Sequence, residues 1–198
     1  MSITKIEIDR NINTLRVNSK EFAQISNTKL ISLFEESIKN IQGIAYYWAT
    51  VGAKNKGVEN TIAEGEEWLG GPFASVFGMQ YYIETLKDVN KPLISDSYNE
   101  SLNTYKVFPN NILEKIFFPF ISAEVKFNKN ISFNEIEKYR GYAMRYKHDP
   151  SITLVLGAGN VSCIPLLDAI YHLVAKRSVV YIKLNPVNDY LLPVFEKV

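Results

Sequence analysis

Ile152-Thr153-Leu154-Val155-Leu156-Gly157-Ala158-Gly159-Asn160 is the stretch whose reading decides the fold. Residues 152–156 form a nearly continuous apolar run that stops at two closely spaced glycines. Leu166, Leu167, Ile170, Tyr171 and Val174 follow at helical steps. A second apolar run, Val179-Val180-Tyr181-Ile182-Lys183-Leu184, comes next. Strand, glycine turn, helix, strand is a βαβ unit, and strands apolar on both faces imply a covered parallel sheet. After Pro186, Asn188 or Asp189 is placed to cap a final helix running to the C-terminus. The expected fold class is therefore α/β.

In an open α/β sheet, ligands sit beyond the carboxyl ends of the strands. Two groups fall there. Gly157-Ala158-Gly159-Asn160 leaves the first strand, where glycine lets a ligand approach the backbone and the next helix offers N–H groups to an anion. A tight βα turn without a ligand explains the same residues, and Ser162 breaks the full glycine fingerprint. Lys183 ends the second strand. It either snorkels from a sheet margin to water or donates to a ribose or phosphate oxygen.

Working back toward the N-terminus, residues 133–147 read as a helix and 128–130 as a turn. Ala123-Glu124-Val125-Lys126-Phe127 alternates like a strand. Asn110 or Asn111 caps a short helix ending before Pro119, and residues 91–109 read as a loop. Gly70-Gly71-Pro72 reads as a turn into a helix over 73–88 with Phe73, Phe77 and Tyr81 on one side. Leu30, Phe34, Ile38, Ile41, Ala45 and Trp48 place a long helix from about Thr28 to Lys54, with Gly57 as its stop. Residues 3–8 and 12–17 alternate around Asp9-Arg10-Asn11, which suits a short hairpin or a loose terminal arm. The domain reading is a helix-rich region over 1–150 and a nucleotide-binding unit over 151–198.

Twenty-two basic and 21 acidic residues in 198 leave a net charge of +1. That balance argues against a nucleic-acid platform. No apolar run approaches the ~18 residues of a membrane span. The single cysteine, Cys163, excludes an internal disulfide framework and favours a reducing, cytoplasmic setting. Cys163 sits where a helix begins, so it reads either as a thiol of lowered pKa or as an inert half-buried one. His148, His172 and the neighbouring carboxylates Glu66 and Glu67 are assigned no chemistry, and no metal site is expected.

Residues 154–198, LVLGAGNVSCIPLLDAIYHLVAKRSVVYIKLNPVNDYLLPVFEKV, resemble the opening of the nucleotide-binding domain in the aldehyde dehydrogenase superfamily. They resemble in particular the branch that contains acyl-CoA reductases, and GEEWLGGP at 65–72 also resembles a segment of that branch's N-terminal region. The resemblance implies a helix-rich N-terminal region followed by the first βαβα unit of such a domain, left incomplete. It implies that the Asn160 amide helps hold an oxyanion, a role suited to a donor that does not titrate. It implies that Lys183 binds the adenosine ribose of NAD or NADP, with Leu156, Gly157, Ala158, Gly159 and Asn185 along the cofactor. Many members carry Glu three residues after this Lys, whereas here Pro186 stands there, so the choice between NAD and NADP stays open. The family nucleophile lies downstream of these residues. The chain is thus expected to act on an aldehyde or acyl-CoA only when a C-terminal half completes it, and to be inactive alone. The strand near 123–127 matches the family's oligomerisation arm, which implies a homo-oligomer. The alternative is a non-catalytic remnant or association module of an interrupted gene.

Overall fold

A computed structural model describes residues 4–146 and 148–198. Helix α1 (Lys5–Phe22) replaces the expected hairpin. Thr4 and Glu7 form a reciprocal cap: the Glu7 amide donates to Thr4 Oγ1 at 3.3 Å and the Thr4 amide to Glu7 Oε2 at 2.8 Å. Those bonds hold the Glu7 carboxyl below its usual range. Ile8, Ile12, Leu15, Ser19 and Phe22 turn inward at three- and four-residue steps, and this face lies over the strands of the βαβ unit.

Helix α2 (Asn27–Lys56) is capped by Ser26 and ended by Gly57 at φ 68°. Two lysines in its last turn complement the dipole. Next come α3 (Glu64–Trp68), one wide turn over Leu69–Phe73, and α4 (Ala74–Asp88). The expected sharp turn at Gly70-Gly71-Pro72 is a kink between two helices, with only Gly71 off the helical path. The buried face of α4 carries Met79, Ile83 and Leu86, whereas Phe73 and Phe77 stack on each other at 5.5 Å with their sides exposed.

The segment expected as a loop holds two short strands, β1 (Tyr98–Asn99) and β2 (Thr104–Phe108). After them come α5 (Ile112–Phe117), capped by Asn111, then β3 (Ala123–Lys126) and α6 (Phe133–Tyr139). The helix expected over 133–147 breaks at Gly141, φ 59°, and resumes as α7 (Tyr142–Arg145). The βαβ unit is β4 (Ile152–Leu156), α8 (Ile164–Ala175) and β5 (Val179–Lys183). The final helix is only α9 (Leu192–Phe195), preceded by a tighter turn over Pro186–Leu191. Asn185 caps that turn, because its Oδ1 accepts the Val187 amide. Neither Asn188 nor Asp189 does so.

The chain is mixed α and β and divides into two compact units. One comprises the chain up to Val89 together with Tyr142–Val198; the other is Asn90–Gly141. The division does not fall at residue 150, because the two ends of the chain build one core. Leu30, Phe34, Ile41 and Trp48 of α2 meet Met79 and Ile83 of α4, Ile170 and Val174 of α8, and Leu191 and Val194. In this unit β4 and β5 pair in parallel, Leu154 opposite Tyr181 and Leu156 opposite Lys183. Val155 is buried, but Leu154 and Leu156 are 59% and 70% exposed, so the pair is not covered on both faces as expected.

The second unit is an antiparallel sheet in the order β1-β2-β3 with α5 and α6. Its turn is built on Asn103, at φ 51°. Asn103 Nδ2 donates to the carbonyls of Asn128 (2.7 Å) and Ile131 (3.1 Å), and Oδ1 accepts from the Tyr98 hydroxyl (2.7 Å).

Candidate functional site

The carboxyl ends of β4 and β5 lie side by side, so the turn after β4 faces the chain leaving β5. The Gly157 amide donates to the Lys183 carbonyl at 2.9 Å, which extends the ladder by one bond. A side chain at Gly157 would meet Pro165 at 3.0 Å and the Lys183 carbonyl at 3.3 Å. One at Gly159 would meet Val187 Cγ2 at 2.9 Å and Asn185 Nδ2 at 3.0 Å. Both glycines thus let the chain pack on itself. Asn188 is buried and donates from Nδ2 to the Ala158 carbonyl at 2.9 Å, which fixes the middle of the turn.

Leu156, Asn160 and the Lys183 side chain are exposed at this end, while Gly157, Ala158, Gly159 and Asn185 are half-buried. The amide of Asn160 makes no hydrogen bond among the described residues. The Asn160 backbone carbonyl accepts from Lys56 Nζ at 3.1 Å. Lys56 in turn forms an ion pair with Glu67 at 2.6 Å, and that carboxylate is buried. The last turn of α2 and helix α3 therefore hold the turn from behind. Trp48 Nε1 donates to Ser162 Oγ at 3.0 Å, and the Cys163 amide donates to the Gly70 carbonyl at 2.9 Å. An acceptor of the chain itself thus meets the start of α8, where N–H groups were expected to await an anion.

Sequence reasoning missed Lys56, Glu67 and Asn188. Glu67, assigned no chemistry from the sequence, fills the space beside Gly52. A Cβ at Gly52 would lie 2.5 Å from Glu67 Oε2. A glycine inside a strongly patterned helix was the available signal. Gly52→Ala is expected to destabilise the chain by roughly 1–2 kcal/mol, because the carboxylate must leave Lys56. Gly43→Ala in the same helix meets nothing within 4 Å and should stabilise by about 0.5–1 kcal/mol. Urea unfolding of the two variants checks the opposite signs.

Burial pushes the Cys163 thiol above its ordinary value, and the charge of Asp168 adds to this. Cys163 is buried, so the inert reading of this thiol is the one its surroundings favour. Burial, aided by the charge of Glu67, also raises the Tyr190 phenol to about 12. Its hydroxyl is buried without a hydrogen-bond partner among the described residues. Between the unfolded value near ~10 and the folded value, the unfolded chain releases this proton while the folded chain keeps it. Stability should therefore fall as pH climbs from about 10 to about 12. Tyr190→Phe should remove that part of the fall and cost nothing at neutral pH, since an unpaired hydroxyl is lost. Urea midpoints measured across this pH range test both statements.

Among the described residues no group of His, Cys, Asp and Glu could hold a metal ion, and no helix is long and apolar enough to cross a membrane. No protein-family model matches the chain, and neither a curated protein nor a solved structure does.

Proposed function

We propose that this chain is the N-terminal part of an aldehyde dehydrogenase-like or acyl-CoA reductase-like oxidoreductase, supplying an oxyanion-holding amide and one side of an NAD(P) cleft. The observation that carries this reading is the joint placement of Asn160 and Lys183. Both project at the carboxyl end of a parallel strand pair, and the Asn160 backbone is fixed by Lys56. The Asn160 amide is free to donate to a carbonyl oxygen as it gains negative charge. The Lys183 ammonium is free to donate to a ribose or phosphate oxygen. Leu156, Ala158 and Asn185 would border the cofactor, which supplies or accepts hydride when bound. Cys163, buried and protonated, is unsuited to attack, so the thiol that this chemistry needs comes from outside these residues and turnover by them alone is not expected.

Titrating NAD and NADP against the chain while following tryptophan fluorescence tests the reading. Saturable binding of at least one is expected, weakened about tenfold or more in Lys183→Ala. Asn160→Ala should leave that affinity unchanged, since its amide serves the carbonyl. No saturation with either cofactor, or an unaltered Lys183→Ala, overturns the proposal.

Association is the rival reading. It is favoured by the exposed Leu154 and Leu156 on one face of β4, and by β3, an edge strand exposed along its length. A monodisperse monomer by light scattering would count against it.

A further inference from the structure

The N-terminus of α2 begins in a shallow cleft of about 290 Å³ bordered by Gln24, Ser26, Asn27, Arg145, Tyr146 and Arg177. It is set apart from the GAGN turn: α2 has 30 residues, so its two ends lie about 45 Å apart.

Three features of the cleft share one sign. First, α2 has no acidic residue in its first turn to offset the positive end of its 30-residue dipole. Ser26 Oγ takes the Lys29 amide and the Ser26 carbonyl takes that of Leu30. The amides of Asn27 and Thr28 have no acceptor among the described residues, so the positive end of a long helix is only partly satisfied.

Second, Arg177 is only 4% exposed. Its Nη2 donates to Asn27 Oδ1, and Asn27 Nδ2 donates to the Met144 carbonyl at 3.2 Å. Nη1 is buried without any acceptor, and no carboxylate pairs with this guanidinium among the described residues. A guanidinium does not shed its proton in a protein, so burial without a counter-charge is costly. Burial indeed disfavours its charged form here. Third, none of the residues bordering the cleft is Asp or Glu, while two are Arg.

The buried Arg177 cation, an open helix N-terminus and a lining without carboxylates together favour a negatively charged guest. We infer that this cleft binds a small oxyanion of the phosphate class, held between the Arg177 guanidinium and the first amides of α2. A guanidinium gives charge-assisted hydrogen bonds to phosphate oxygens, and backbone amides at a helix start serve the others. The cleft volume lies at the low end for ligand pockets, which suits a phosphate group rather than a large molecule. Phosphate can arrive as the free ion or as the end of a nucleoside monophosphate, and the chemistry at Arg177 is the same for both.

Thermal melts and isothermal titration of the 198-residue chain test this, with inorganic phosphate against chloride at equal ionic strength. Phosphate is expected to bind with a dissociation constant below the millimolar range and to raise the melting temperature by several degrees, chloride by none. Arg177→Gly should weaken phosphate binding by about tenfold or more. That variant should fold, because Arg177 has φ 49°, a conformation glycine adopts without strain. Asn27→Asp places a carboxylate against Arg177, so it should melt higher without phosphate and lose the response to it. Adenosine monophosphate separates the sources: affinity well above that of inorganic phosphate identifies a nucleotide, and equal affinity identifies the free ion. The inference is overturned if phosphate acts no differently from chloride. It is equally overturned if Arg177→Gly keeps the full response.

Discussion

Trp48→Ala is expected to cost about 4 kcal/mol, the largest loss of any single truncation in this chain. Trp48 is fully buried in the C-terminal third of α2 and meets Phe195 edge-on at 5.7 Å. Truncation leaves a cavity lined by three helices that cannot close together, which is the condition for a large penalty. It also strips Ser162 of its indole donor at a buried position. Trp48→Phe keeps most of the apolar volume and loses only that bond, so about 1–2 kcal/mol is expected. Urea unfolding followed by circular dichroism suits the measurement, since removing Trp48 leaves only the partly exposed Trp68 as a fluorophore. An alanine cost below about 1 kcal/mol would contradict the core described above.

Asn103→Ala should have the next largest effect, confined to the smaller unit. Three side-chain hydrogen bonds disappear, each worth about 1 kcal/mol. The left-handed backbone adds a further cost of about 1 kcal/mol for a residue with a bare Cβ. Residues 90–141 have little else to draw on, because Ile136 is the one buried apolar side chain found there. A loss of about 3–4 kcal/mol should open this unit while the larger one stays folded. Hydrogen exchange resolved by segment is the measurement, with fast exchange expected over 98–126 and protection kept in α2 and α8. Asn103→Gly separates the causes. It relieves the backbone but forfeits the bonds, so it should recover only the smaller part of the loss. Equal exchange in wild type and Asn103→Ala would sink the idea.

How much was legible in the sequence differs by element. Helix α2 could be placed within a residue or two at each end, because its apolar stripe and Gly57 stop agree. The βαβ unit could be placed because its two strands read as unbroken apolar runs, although one face of β4 lies exposed. Helix α1 was misread because Ile6, Ile8, Leu15 and Val17 alternate. The Thr4-to-Glu7 cap, a three-residue spacing, was the signal that outweighed the alternation. Strands β1 and β2 escaped notice because they are short, and their turn depends on an Asn side chain reaching 25 and 28 residues ahead. At the candidate site, the residues in the turn and at the end of β5 were found, since they lie beside recognisable strands. Lys56 and Glu67 were not, because no local spacing rule joins a helix end to a carboxylate 11 residues later and a carbonyl 104 residues later.

The larger unit is made from the two ends of the chain, with residues 90–141 between them. During synthesis this order imposes a delay. At roughly 5–20 residues per second, about 3–10 s pass between the emergence of Val89 and that of Tyr142. Throughout that interval α2 and α4 display Trp48, Ile41, Met79 and Ile83 without α8 to cover them. The nascent protein therefore carries its stickiest surface while it is still attached to the ribosome. The smaller unit can close first, since its pairings span few residues, and the larger one must wait for the last helices to arrive.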